Sequence, residues 1–182
     1  VYAAHREAFG DEMAAILARI HAVALPTDVV GEPPPPSDVA PREVARWKRV
    51  LAAAPEASTP AIRTATRWLE RHPPPPPRRT VLVHGDYRTG NLIHGPEGFR
   101  AVLDWEMAHP GDPLEDLAFA ALVCWRLGTD RVGGLLPPDR WIARYEEASG
   151  QRVDRDAVRF WEVLGAVKMA ALTHLVAAQL PA

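Results

Sequence analysis

A mostly helical α+β fold is predicted by two patterns in the chain. Apolar residues recur at three- and four-residue intervals over most of its length. A single central stretch, residues 80–106, instead strings short β-branched runs between turn formers. The 182 residues suffice for one domain with a real core and are marginal for two, and 47% apolar residues call for a packed interior. One unit over 1–182 is expected: a helical segment 1–79 with proline-rich connectors, a β insert 80–106 and a helical segment 107–182.

The elements follow in order. Met13, Ile16, Leu17, Ile20 and Ala24 lie on one face, which predicts a helix over 3–24, ended by Pro26 and the segment 26–37. Val44, Trp47, Val50 and Leu51 predict a second helix over 39–54. Thr59-Pro60 reads as an N-cap followed by proline at the first helical position, and Ile62, Ala65, Trp68 and Leu69 carry that helix to Arg71. The runs Pro33–Pro36 and Pro73–Pro77 read as stiff polyproline spacers rather than docking sites for a proline-binding module. Thr80–Val83, Leu92–His94 and Ala101–Leu103 are strand-like. The last two, joined by Gly95-Pro96-Glu97-Gly98, predict a hairpin over 91–104. Beyond Pro113, Leu114, Leu117, Ala118, Ala121, Leu122 and Trp125 share a helical face. Pro137/Pro138 open a helix that ends near Gly150, and Asp154 caps a long last helix to Gln179. No internal repeat is present.

Composition excludes several classes of function. A formal charge of −2 provides no basic field, which argues against nonspecific nucleic-acid binding. Arginine far outnumbers lysine, of which there are only Lys48 and Lys168. The lone Cys124 rules out an internal disulfide and fits a reducing, cytoplasmic setting. Within the apolar run 118–125 it is expected to be a buried structural thiol. No run of about 18 uncharged apolar residues is present, so no membrane partner is expected, and no signal-peptide pattern is visible. The chain starts at Val1 directly in helix-like sequence, as expected of a piece of something longer.

The chemistry concentrates in the central stretch. It reads Val81-Leu82-Val83-His84-Gly85-Asp86-Tyr87-Arg88-Thr89-Gly90-Asn91, then Ala101-Val102-Leu103-Asp104-Trp105-Glu106. Phosphoryl transfer requires a group to orient the attacking hydroxyl, oxygen ligands for magnesium, and cations to offset the transferring charge. Asp86, Asn91 and Asp104 supply such oxygens, and Asp-x-x-x-x-Asn is a kinase catalytic-loop spacing. A hairpin after Asn91 returns the chain so that Asp104 comes back beside it. Arg88 is placed to reach a transferring phosphate. The competing structural readings are a turn cap for Asp86, a loop-end hydrogen bonder for Asn91 and a surface residue for Arg88. His84 is expected to be a packed histidine supporting the loop, and Glu106 a solvated turn carboxylate. In Gly111-Asp112-Pro113-Leu114-Glu115-Asp116, Asp112 is expected to cap the helix, and Asp116 to accept hydrogen bonds from loop backbone. His94 and His109 have no partner at zinc-like spacing, and His5, His21, His72 and His174 are scattered. All six read as surface or core residues.

At these residues the chain resembles the aminoglycoside phosphotransferase/choline kinase-like family. The branch it is most similar to is that of the kinase-like domain of acyl-CoA dehydrogenase family members. The matching motifs are His84-Gly-Asp86-Tyr-Arg88-Thr-Gly-Asn91, Val102-Leu-Asp104-Trp-Glu106 and Gly111-Asp-Pro-Leu-Glu-Asp116-Leu-Ala, with weaker support at Ala45-Arg46-Trp47 and Arg144–Gly150. The resemblance implies a protein-kinase-like C-terminal lobe. In it Asp86 matches the catalytic base, Asn91 and Asp104 the magnesium ligands, and His84 the structural histidine. Arg88 falls where protein kinases place a lysine. Implied cofactors are Mg2+ and ATP or another nucleoside triphosphate, and the implied acceptor is a small-molecule hydroxyl.

One departure is evident. No glycine-rich loop precedes residue 80, and neither lysine lies in a strand-like run, so the N-terminal ATP-binding lobe is expected to be absent from this chain. The missing lobe is then an expected partner, and the lobe alone is expected to be inactive. Two other readings compete with a small-molecule kinase lobe. One is a noncatalytic binding or regulatory module of the same fold. The other is a magnesium-dependent phosphohydrolase, for which no second carboxylate cluster is visible. Glu146, Glu147, Glu162 and Asp156 are acidic candidates for a cationic acceptor, but they read first as charged helix faces.

Overall fold

Prolines at the first turn open three helices of this chain, and each helix begins where its proline predicts. The computed structural model describes residues 2–53, 58–95 and 97–179. Helix α1 spans Tyr2–Ala22, α2 is a single turn over Thr27–Val30, and α3 spans Val39–Ala53. Helix α4 (Pro60–Arg71) is capped by Thr59, whose hydroxyl accepts the Ile62 N–H at 3.3 Å. Helix α5 (Pro113–Ala120) follows Asp112, whose carboxylate accepts the Leu114 N–H at 2.8 Å. Helix α6 (Pro138–Ser149) ends on Gly150 at φ 68°, and α7 spans Arg155–Gln179 after Asp154 takes the Ala157 N–H. The two proline runs lie outside regular structure, apart from Pro36 at the head of a 3-10 turn; the first lies between α2 and α3, and the second leads from α4 into the strand at Val81–Val83.

Strands are few and short. The expected hairpin forms from β2 (Leu92–Gly95) and β3 (Gly98–Val102), paired antiparallel with Leu92 opposite Val102. Pro96 in its turn, Val1, and Ala54 at the expected end of α3 lie outside the described residues. A second pairing was not expected. β1 (Val81–Val83) pairs with β4 (His109–Gly111), setting Val83 opposite His109. His-Pro-Gly has no β-branched residue, and its strand character comes from the partner alone.

Two apolar clusters share α5 between them. One gathers Trp47 and Leu51 of α3, Leu69 of α4, and Trp161, Leu164 and Val167 of α7 around Ala118. The other packs Met13 and Leu17 of α1 and Trp141 and Tyr145 of α6 around Leu117 and Ala120. The stretch Arg155–Ala177 of α7, with mean hydropathy 1.3, is long and apolar enough to cross a membrane by composition. Its apolar residues Trp161, Leu164, Val167 and Ala171 are core, as expected of the central helix of a packed lobe.

One expectation is corrected. The helix after Pro113 does not run to Trp125. It ends at Ala120, Leu122 turns extended at ψ 144°, and residues 123–125 form a 3-10 turn. That break rotates Val123 and Cys124 outward, so Cys124 is exposed, not a buried structural thiol.

Candidate active site

The loop between β1 and β2 is held from beneath by buried side chains. Asp116 of α5, fully buried, accepts the His84 N–H through Oδ2 at 2.8 Å and the Gly85 N–H through Oδ1 at 2.9 Å. Its Oδ2 also faces His21 Nε2 at 3.1 Å, and His21 Nδ1 meets the Tyr145 hydroxyl at 2.8 Å. Burial opposes the charge on Asp116. The bonds from His21 and the His84 backbone outweigh it and hold the carboxyl below its ordinary value. Tyr87 is fully buried beneath the loop and donates its hydroxyl to the Met13 carbonyl at 2.8 Å.

His84 ties the two halves of the site together. Its Nδ1 accepts the Asp86 N–H at 3.1 Å, which leaves Nε2 as the protonated nitrogen, donating to the Leu103 carbonyl at 2.8 Å. Its ring stacks obliquely on Trp105 at 4.6 Å. The Leu103 N–H in turn donates to the Asn91 carbonyl at 2.8 Å. Leu103 is therefore pinned at both ends, and the next residue, Asp104, is delivered beside Asn91. Asp104 adopts the left-handed conformation at φ 62°, ψ 58° and is exposed. A non-glycine residue held there is the kind of local strain that clusters at functional sites.

Asn91 is buried, and its amide donates to both the Asp86 backbone carbonyl at 2.9 Å and the Asp86 carboxylate at 2.7 Å. Both N–H groups are thereby committed, and the oxygen Oδ1 remains to face a cation. Hard magnesium favours such oxygens, and Asn91 Oδ1 with the exposed Asp104 carboxylate fits it. The Arg88 guanidinium rests on the Asp86 carboxylate, with Nε 3.1 Å from Oδ1, and lies over the Trp125 ring at 4.6 Å. In this state Arg88 faces the candidate base rather than open space. Glu106 is exposed. Glu146, Glu147, Asp156 and Glu162 lie on α6 and α7, where Glu146 instead accepts the Val153 N–H and Glu147 pairs with Arg144. A groove of about 460 Å3 between α3 and α4, lined by Lys48, Leu51, Ile62 and Arg67, contains none of the site residues.

A buried charged cluster beneath the loop escaped sequence reasoning. His109 Nε2 lies 3.2 Å from Glu115 Oε2 and 3.7 Å from Glu43 Oε1. Its Nδ1 donates to the Met107 carbonyl at 2.9 Å. Burial opposes its charge, but Glu115 and then Glu43 push its pKa up to about 9. Glu43, His109 and Glu115 bring ligand-type atoms within 4.8 Å of one another. The Lys168 ammonium, 3.5 Å from Glu115 Oε1, already supplies a cation there. His109 thus has partners that no zinc-like spacing advertises; they come from α3 and α5. Only the neighbouring acids in Glu115-Asp116 hinted at them.

Comparison with known proteins bears on the family and the fold. The profile of the Phosphotransferase enzyme family matches residues 1–161. Acyl-CoA dehydrogenase family member 10 of Mus musculus is 41% identical over 119 residues, covering 64% of this chain and 11% of that protein. Acyl-CoA dehydrogenase family member 11 of Gallus gallus is 43% identical over 81 residues, covering 43% of this chain and 10% of that protein. The chain thus spans about a tenth of the length of these curated relatives. Among solved structures, a protein of Ralstonia eutropha assigned as an aminoglycoside phosphotransferase superposes with a TM-score of 0.74 at 24% identity, over 98% of this chain and 59% of that one. The choline kinase of Streptococcus pneumoniae does so with a TM-score of 0.63 at 20% identity, over 97% and 58%. These likenesses establish a kinase-like phosphotransferase fold, mostly helical with small antiparallel sheets. All three sequence motifs fall inside the profile's span, and the chain belongs to the Phosphotransferase enzyme family.

Proposed function

We propose that this chain is the C-terminal lobe of an ATP- and magnesium-dependent phosphotransferase acting on a hydroxyl of a small molecule. The observation that carries the reading is the hairpin return that sets Leu103, the residue before Asp104, against Asn91. The hairpin returns the chain, the Leu103 N–H bonds the Asn91 carbonyl, and Asn91 spends its amide N–H groups on Asp86, which leaves Oδ1 as the oxygen it can offer a cation. In this reading Asp86 accepts the hydrogen bond of the acceptor hydroxyl and orients it, and Asn91 and Asp104 hold the metal. The metal, when bound, supplies charge neutralisation to the phosphates. Arg88 swings from Asp86 to the transferring phosphate, where its planar fork suits two oxygens. His84, Asp112 and Asp116 support the loop and touch no substrate. A second lobe, outside this chain, completes the nucleotide site, and this lobe alone does not turn over ATP.

A second reading has one observation in its favour. The Arg88–Asp86 ion pair neutralises the candidate base, as a noncatalytic binding module of this fold would tolerate. The two readings separate in one experiment on the polypeptide that contains both lobes. Magnesium-dependent ATP turnover is measured across a panel of hydroxyl acceptors, for wild type, Asp86→Asn and Asp104→Ala. Either substitution should lower kcat at least about 100-fold. Undiminished turnover in Asp104→Ala would overturn the assignment, and robust turnover by the isolated lobe would refute its proposed dependence on a second one.

A further inference from the structure

We infer that Lys168 is a positioning residue for the candidate active site, setting the peptide plane from which Asp86 departs. Lys168 lies on α7, far from the loop in sequence, and is 2% exposed. Its ammonium donates to the Gly85 carbonyl. That oxygen belongs to the same peptide unit as the Asp86 N–H, which donates to His84 Nδ1 at 3.1 Å. One buried group therefore holds each end of the unit, and its rotation is blocked. Gly85 itself sits at φ 84°, with its N–H on Asp116. A Cβ there would meet the Met107 carbonyl oxygen at 2.6 Å, so only glycine fits this close approach of the two backbones.

The ammonium is itself placed by a charge-balanced cluster. Glu115 Oε1 lies 3.5 Å from Lys168 Nζ, and the other oxygen of Glu115 faces His109, which Glu43 flanks. Two carboxylates thus meet two cations. The ammonium also lies over the rings of Phe119 at 4.8 Å and Trp47 at 5.3 Å. Burying such a cluster is a poor route to stability, because apolar residues of the same volume pack as well without desolvating charge. What it does achieve is geometry. Neighbouring acids on α5 grip one residue of the loop from both sides: Asp116 takes the Gly85 N–H, and Glu115, through Lys168, takes its carbonyl.

The inference rests on Asp86 as the group that orients the acceptor, and the test keeps the two ideas apart. In the two-lobe polypeptide, Lys168→Met should speed amide exchange of residues 85–87 at least about tenfold, while amides of α6 change little. With transfer assayed, kcat should fall about 10- to 100-fold with nucleotide KM within about twofold, because positioning rather than binding is lost. Lys48→Met, at the exposed pair with Glu70, should do neither. If Lys168→Met does not fold, Lys168→Met/Glu115→Gln removes one charge of each sign and is read in its place. In the two-lobe polypeptide the ammonium signal lost in Lys168→Met is assigned to Lys168 and the one lost in Lys48→Met to Lys48. Lys168 should exchange slowly with water and show coupling to the Gly85 carbonyl. Loop exchange unchanged in both variants, or a Lys168 ammonium exchanging as fast as that of Lys48, overturns the inference. So does one equivalent of Zn2+ bound by wild type and lost in Glu43→Gln, because the metal would take the ammonium's place. If the loop loosens but Asp86→Asn leaves transfer intact, the positioning role stands and the catalytic reading fails.

Discussion

Raising the pH from 6.5 to 9.5 should cost the fold about 2–3 kcal/mol through His109 alone. The imidazole titrates at about 9 in the folded protein against an ordinary 6.5. A difference of about 2.5 units corresponds to about 3.4 kcal/mol, reduced here because the neighbouring acid Glu43 also binds protons more readily than usual. Below pH 6.5 the ring is protonated whether the chain is folded or not, and the stabilisation is present in full. Between 6.5 and 9 the unfolded chain releases the proton while Glu115 and Glu43 retain it in the fold, so stability falls. Above 9 the gain is gone. The assay is urea unfolding followed by tryptophan fluorescence at pH 6, 7.5 and 9. It is run in a Cys124→Ser background, since partial desolvation of that exposed thiol raises it as well. His109→Gln should lower stability at pH 6 and flatten the slope, so that the two curves converge near pH 9. Parallel curves from 6.5 to 9 would refute the buried ion cluster.

Four further outcomes are expected. Gly85→Ala should destabilise by about 2–3 kcal/mol, from the positive φ and the contact with the Met107 carbonyl; a loss under 1 kcal/mol in urea unfolding would show that the loop relaxes freely. Asp116→Ala leaves the His84 and Gly85 N–H groups and His21 without their acceptor and should cost about 3–5 kcal/mol by the same measurement. Asp104→Gly should relieve backbone strain and gain about 0.5–1 kcal/mol while abolishing magnesium binding followed by calorimetry; unchanged binding would remove Asp104 from the metal site. Cys124 should react with a thiol reagent in the folded protein at a rate close to that of a denatured control, and slow reaction would restore the buried reading.

Local signals made much of this lobe legible. Thr59-Pro60 and Asp112-Pro113 announce helix starts because cap and proline act on their own first turn. The hairpin was legible from its flanking turn glycines, and with it the return of Asp104 to Asn91. What escaped reading depends on partners distant in sequence. β4 is a strand only because β1 lies alongside. His109 looked unpartnered because its acids come from helices the sequence cannot place. Lys168, well inside the apolar pattern of α7, gave no sign of reaching Gly85. Cys124 misled for the opposite reason: the apolar run 118–125 is continuous in sequence, but the helix carrying it ends at Ala120 and Leu122 turns extended.

The division of labour around Asp86 bears on why the two readings of the site are not equally supported. A loop kept only for binding or structure has no need to leave its polar side chains uncommitted, since each unsatisfied group costs free energy. Here the backbone is the committed part. The N–H groups of residues 84, 85 and 86 and the carbonyl of 85 are all taken by Asp116, His84 and Lys168. The side chains above them are arranged differently. Asn91 spends both donors on Asp86 and keeps its oxygen as an acceptor, and Asp104 stands exposed in a strained conformation that the two hydrogen bonds of Leu103 enforce. Strain held by neighbours, beside oxygens of one sign, is what a site built for a cation requires and what a packing element would shed. Arg88 on Asp86 fits the same scheme. Its guanidinium rests on the Asp86 carboxylate, and the planar fork that holds a carboxylate there suits phosphate oxygens equally.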